Sequence, residues 1–386
     1  MWEVYKFGGT SITKKGFDKI NNIIESRNCK IVIILSAISN VTNLLFKLVE
    51  QKEKTVFNHI KEIHVDLMNK LNIKNKIIIN DKINDLQKLV FNTNSDSEEI
   101  IAYGEILSTL ILHEYLKNKT FLINSRDIIK HSNGKFICMK NNFNNYIKNN
   151  EVIIMQGFIA SYENKKTCLL SRGGSDTTAT LIGSMLDVKN VYIYTDVNGI
   201  YTSDPNKISN ASIIKHLDYE VAQELAATGG KVLNPYSIKP AQEKNINIYI
   251  RNTYNENSGT IINNLKTNNF SVINQKNILI FHIKSVNMWN NSGFIHDIFK
   301  DFSDFGINVN IITTSQFEVS CTTDNISDKS LLDLYNKLSK RYQVKVIKNS
   351  NMISVVGNNI TLNNDFMEKL FLVIKKYKIH ITHYSS

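Results

Sequence analysis

Four short segments bring glycine together with charged or hydroxyl side chains. They are Lys6-Phe7-Gly8-Gly9-Thr10-Ser11, Ser171-Arg172-Gly173-Gly174-Ser175-Asp176-Thr177-Thr178, Tyr194-Thr195-Asp196-Val197-Asn198-Gly199-Ile200-Tyr201, and Gly229-Gly230-Lys231-Val232. With only 16 glycines in 386 residues, such clustering calls for a cause. Two of the glycine pairs follow an apolar, strand-like run and lead into a helix-like stretch. That arrangement brings a backbone close to phosphate, because no Cβ stands in the way and amide N–H groups at a helix start point at the anion. One such loop is weak evidence. Four, with lysine, arginine and aspartate built in, point to phosphoryl transfer, which needs positioning and neutralisation of charge on the moving group.

The elements that must position these loops are legible around them. Strand-like runs recur at 2–5, 30–35, 120–123, 152–155, 167–170, 191–194 and 246–250, and helix-like stretches at 41–50, 98–118, 176–186 and 219–227 separate most of them. Strands apolar on both faces, alternating with helices, predict an α/β fold: a three-layer αβα sandwich around a mostly parallel sheet. Ligands in such folds sit at the carboxyl ends of strands. Lys6, Arg172 and Asp196 each follow a predicted strand closely enough to converge there.

Composition narrows the class. An apolar fraction of 42% and a charged fraction of 21% are ordinary for a soluble globular chain. Runs such as 30–35 fall far short of the ~20 residues a membrane span needs. The first residues enter a strand with no signal-like segment, so the expected location is cytoplasmic and no membrane partner is expected. Cys29, Cys138, Cys168 and Cys321 lie far apart without a CxxC pair, so neither a disulfide framework nor a zinc site is indicated. The net charge of +11 raises a nucleic-acid reading, but the lysines are scattered and no basic-aromatic ribbon accompanies them. The excess of Asn, Ile and Lys throughout fits a solvated surface better.

The first-domain motifs resemble those of the aspartate kinases of the amino-acid kinase superfamily, nearly end to end. Residues 6–11 stand where that family has KFGGTS, and Ser36-Ala37 with Thr42-Asn43-Leu44-Leu45 resembles its SA…TNLL segment. Tyr103-Gly104-Glu105-Ile106-Leu107-Ser108 is similar to its GE-containing helix, and residues 172–177 to RGGSD-x-T. The segment 195–205 is similar to TDVDGIYTADP, and 231–235 to KVLHP apart from the histidine.

The resemblance implies an ATP-dependent kinase for the β-carboxylate of L-aspartate, with Mg²⁺ carried mainly by phosphate oxygens and no metal held by the protein's own residues. Lys6 is the cation expected to meet the transferring γ-phosphoryl, although an isolated lysine at a strand end is usually just surface. Asp176 opens a helix and suits an N-cap; the family likeness adds a role in holding Lys6 and organising the attacking carboxylate. Arg172 offers a fork for the substrate's α-carboxylate. Glu105, amid Ile101, Leu107 and Leu110, wants a partner, either the substrate's ammonium or a structural cation. Thr42, Gly173, Gly174 and Ser175 complete the substrate pocket. Phe7, Gly8, Gly9, Thr195, Asp196, Tyr201, Asn206, Lys231 and Val232, with Lys6, are the expected nucleotide contacts.

Two departures stand out. Asn206 replaces a common arginine and Asn234 replaces the histidine of KVLHP, and both are expected to tune affinity rather than abolish turnover. The polar stretch 252–269 marks a boundary, giving a kinase domain at 1–264 and a regulatory region at 265–386. That region resembles paired α+β ACT modules, at about 276–348 and 351–386, each reading strand, helix, strand. The second copy stops at Ser386, short of the strands and helix a whole unit has. Met288, Gly293-Phe294 and residues 311–315 look most like the lysine-sensitive single-function enzymes, yet Asn310 and Gln316 stand where acidic residues are common. A homodimer through this region is expected. The competing readings are a kinase for another small acid and a non-catalytic amino-acid sensor. Retention of Lys6, Arg172, Asp176 and Asp196 together argues against the second.

Overall fold

The computed structural model describes residues 1–92, 95–147, 151–171, 173–230, 232–255, 259–289 and 291–377. It divides into two compact units, Met1–Thr267 and the chain from Asn268 onward.

In the first unit eight strands form one sheet. Their order is His216–Asp218, Gly259–Asn263, Asn247–Asn252, Asn190–Thr195, Trp2–Phe7, Lys30–Leu35, Val152–Gln156 and Phe121–Ile123. Six of these are mutually parallel. The strand Gly259–Asn263 turns back against its neighbour, and His216–Asp218 follows it. Residues 4–7, 31–35 and 153–156 are buried at every position, which requires cover on both faces of the sheet. Helices Ser97–Leu116 and Gly174–Met185 pack on its strands. Fold class and mostly parallel sheet therefore agree with the sequence reading.

The run at 167–170 differs from expectation. Thr167–Leu169 pairs antiparallel with Ile159–Tyr162 in a separate four-stranded sheet, completed by Ile129–Ser132 and Lys135–Cys138. A three-residue apolar run carries too little pattern to reveal which sheet it joins.

Chain order explains where a site can form. From Trp2–Phe7 the chain builds outward through Lys30–Leu35, then returns with Asn190–Thr195 on the opposite side of the first strand. The order reverses there, opening a crevice past the carboxyl end of the first strand. Lys6, Gly8 and Gly9 lie at that end.

In the second unit four antiparallel strands follow the order Ile311–Thr314, Glu318–Thr323, Phe270–Lys284 and Gln343–Gly357. With helices Phe294–Asp304 and Asp328–Ser339 this is a β-α-β-β-α-β arrangement. Its core gathers Leu279, Phe281 and Ile283 with Ile298, Phe302 and Leu334. The sequence reading separates two modules at about 348–351, whereas the strand Gln343–Gly357 runs unbroken through that point. Residues 352–357 pair with 270–275, ahead of the first module. Helix Asn364–Tyr377 follows, with Met367 as its buried residue. The strand expected at 379–385 lies outside the described residues.

Candidate active site

Lys6 is the fifth residue of the first strand, paired in register with Ile34 on one side and Ile193 on the other. Both neighbours are apolar, and the lysine is only 9% exposed. A buried ammonium needs an anion. Asp176 supplies it, with Oδ1 2.6 Å from Lys6 Nζ.

Asp176 lies in the first turn of helix Gly174–Met185, where a carboxylate is favoured by the helix dipole. The N-cap of that helix is Gly173, not Asp176. The carboxylate is therefore free to reach Lys6 instead of closing its own helix. Gly173 adopts φ +78°, a left-handed conformation that favours glycine. The second carboxylate oxygen of Asp176 accepts from the Asn234 backbone N–H at 3.4 Å.

The Gly8–Gly9 loop is pinned to both neighbouring loops. Gly8 N–H donates to the Tyr194 carbonyl at 3.0 Å, and Ser39 N–H donates to the Gly9 carbonyl at 3.1 Å. A Cβ on Gly9 would lie 2.8 Å from the Ala37 carbonyl oxygen, so only glycine lets these backbones approach. Ser11 and Thr253 hydroxyls meet at 2.6 Å behind the loop. The result is a fixed backbone cradle beside the Lys6 ammonium, suited to a phosphate chain.

Glu105 sits on helix Ser97–Leu116, buried to 3% exposure. Its Oε1 accepts from Ala37 N–H at 3.0 Å, which ties the helix to the loop after the second strand. Its Oε2 is buried with no hydrogen-bond partner among the described residues. Burial pushes this carboxyl up to about 8, opposed by the Ala37 hydrogen bond and by the charge of nearby Lys6. Among the described residues no cation forms an ion pair with it.

The remaining sequence candidates spread around this centre. Ser175 is buried beside Asp176, and Thr42 is a half-buried residue in the first turn of helix Val41–Gln51. Thr195 ends its strand and donates to Asp196 Oδ1 at 3.1 Å, while Asn252 Nδ2 donates to the Asp196 carbonyl at 2.9 Å. Tyr201 is half-buried and its hydroxyl accepts from Asn198 Nδ2 at 3.4 Å. Phe7 is fully buried and stacks on Tyr194 at 4.7 Å, so its ring is core and only its backbone faces the loop. Val232 is half-buried. Asn206 is exposed in a turn where its N–H donates to Asp204 Oδ1 at 3.0 Å. Arg172 and Lys231 lie outside the described residues. Sequence reasoning missed Ala37, whose N–H holds Glu105, and the contact of Asn234 with Asp176; a backbone N–H leaves no mark in residue type.

Residues 1–252 match the model of the amino acid kinase family. The chain is 28% identical over 422 residues to lysine-sensitive aspartokinase 3 of Escherichia coli strain K12, covering 99% of this chain and 93% of that protein. It is 30% identical over 429 residues to a bifunctional aspartokinase/homoserine dehydrogenase of Buchnera aphidicola, covering 98% of this chain. It spans only about half, 52%, of that longer relative. A crystal structure of E. coli aspartokinase III in complex with aspartate and ADP superposes with a TM-score of 0.86 at 26% identity, covering 100% of this chain and 94% of the other. The chain belongs to the amino acid kinase family, and its relatives along nearly its whole length are aspartokinases.

Proposed function

We propose that this protein transfers the γ-phosphoryl group of ATP to the β-carboxylate of L-aspartate, giving 4-phospho-L-aspartate. The observation that carries the reading is the buried Lys6–Asp176 pair, set between the Gly8–Gly9 cradle and the start of helix Gly174–Met185. The aspartokinase relatives and the aspartate and ADP in the E. coli complex support the choice of substrates.

The acceptor is already a carboxylate at neutral pH, so no strong general base is needed and catalysis reduces to alignment and charge neutralisation. Lys6 meets the charge building on the moving phosphoryl group, and Asp176 aims it. Gly9 presents its backbone amide to the phosphate chain and Gly8, without a Cβ, lets that chain approach, with Thr195, Asp196, Tyr201, Lys231 and Val232 along the nucleotide. Glu105 receives the substrate's ammonium through its unpartnered oxygen, Arg172 takes the α-carboxylate, and Thr42 and Ser175 donate hydroxyl hydrogen bonds. Mg²⁺ accompanies the nucleotide and offsets negative charge on its phosphates.

The C-terminal unit is assigned as an ACT-like regulatory region through which two copies pair. Phe371, Leu372 and Val373 are 48%, 60% and 49% exposed, apolar surface that pairing would cover. The cytoplasm is the expected location; among the described residues no helix is long and apolar enough to cross a membrane. The test is a coupled assay of ADP release with a panel of amino acids. Release driven by L-aspartate and not by glutamate, N-acetylglutamate or succinate supports the reading. Equal rates with each would contradict it.

A further inference from the structure

Asn234 sits at the start of the turn Pro235–Ser237, on the far side of Asp176 from Lys6. The residue is 7% exposed. Its side-chain Oδ1 accepts from Tyr236 N–H at 2.8 Å, the N-cap bond of that turn. Its carbonyl accepts from Ser237 twice, from N–H at 3.0 Å and from the fully buried hydroxyl at 2.5 Å. These contacts fix the Asn234 side chain and the peptide it forms with Pro235, and so restrain the neighbouring Leu233–Asn234 peptide, which carries the Asn234 N–H. That N–H points at Asp176 Oδ2. The side chain also lies close against Gly173: a Cβ there would come within 3.1 Å of Asn234 Nδ2. One residue thus braces both the left-handed turn that starts the helix and the carboxylate in its first turn.

We propose that Asn234 is a positioning residue for phosphoryl transfer, holding one oxygen of Asp176 so that the other is left to aim Lys6. The inference rests on the Lys6–Asp176 reading above. It changes the expectation from sequence, in which Asn234 tunes affinity: a residue that acts through Asp176 moves turnover and leaves the Michaelis constants for both substrates nearly unchanged.

The test uses two substitutions in the full chain. Asn234→Gly keeps an acceptable N-cap while loosening the peptide, so folding survives; Asn234→Ser restores a capping oxygen. The expected results are a roughly 10-fold lower kcat for the glycine variant with both KM values within about twofold, and a serine variant within about threefold of wild type. A double-mutant cycle separates positioning from general damage. In an Asp176→Asn background, Asn234→Gly is expected to change kcat less than about twofold. An equal 10-fold loss in both backgrounds, or wild-type kcat for Asn234→Gly alone, overturns the proposal. Wild-type kcat in Asp176→Asn itself would instead overturn the reading of the site beneath it.

Discussion

Both units bury carboxylates, and they do so differently. In the C-terminal unit Asp301 is 4% exposed and fully partnered, ion-paired to Arg341 and with Lys337 at 3.2 Å. At the surface of the same unit, exposed Asp324 accepts from Gln275 at 2.6 Å and Asn310 at 3.0 Å, and half-buried Glu318 pairs with His282 and Lys284. In the first unit Asp176 is held from two sides, but Glu105 keeps one oxygen with no described partner. A buried acid is therefore not a functional site by itself. What separates the two sites is whether the fold supplies every partner or leaves a buried oxygen without one among the described residues.

The sharpest way to break this comparison is at the pair that aims the phosphoryl group. Lys6→Ala or Asp176→Ala should lower turnover by at least ~100-fold, in line with loss of one preorganised charge at the transition state. Far-UV circular dichroism should stay unchanged. Near-normal activity in the Lys6 variant removes it from the mechanism.

The open carboxylate makes a pH prediction. Glu105 titrates near 8 in the free chain, above its ordinary value because burial disfavours the charged form. An ammonium substrate needs it ionised, so the KM for aspartate should rise up to about tenfold per unit as pH falls below 8. At saturating aspartate kcat should change little. For stability the sign is opposite in consequence: the folded chain binds the proton more tightly than the unfolded one, so stability falls as pH rises from the unfolded value through about 8. Glu105→Gln should flatten both trends. A KM that is flat from pH 6 to 9 in the wild type contradicts the open-site account.

How much of the molecule is legible in its sequence follows the same division. The glycine loops, Lys6 and Asp176 announce themselves, because phosphate approach and charge demand particular residue types. The Ala37 and Asn234 contacts do not, since any residue type except proline supplies an N–H. Helices Lys54–Lys70 and Ile77–Val90 are also hidden from a reading of local pattern. Ile77, Ile78 and Ile79 form a β-branched, strand-like run, yet Ile77 is 69% exposed at the helix end and Ile79 is buried. Here packing against Ser97–Leu116 overrides local β-branched preference. The long strands of the C-terminal unit escape a linear division because their pairing is set by tertiary register, bulges included.

Closed partner sets in the C-terminal unit predict a weak effector response. Asn310 offers an ammonium a neutral amide that already donates to Asp324. A lost charge-assisted hydrogen bond weakens such binding by roughly 10- to 100-fold. Titration of lysine at sub-saturating aspartate should show little inhibition below the millimolar range. Half-inhibition by sub-millimolar lysine would contradict this.

The smallest expected effect on turnover comes from Asp301→Asn. Breaking an ion pair whose cations are half-exposed should cost about 1–3 kcal/mol of stability, less than a fully buried pair would. Activity at saturating substrate should stay within about twofold, a surface-like response for chemistry. A collapse of kcat with an unchanged melting temperature would place Asp301 with the open acids and dissolve the contrast.

The central claim is that a phosphoryl group reaches the β-carboxylate of aspartate. Its most direct test is to incubate the protein with ATP, Mg²⁺, L-aspartate and hydroxylamine, which converts an acyl phosphate to a hydroxamate, and to compare hydroxamate with ADP. The account predicts aspartyl β-hydroxamate in equal amount to ADP, with both products lost in Lys6→Ala. ADP formed without hydroxamate would contradict it.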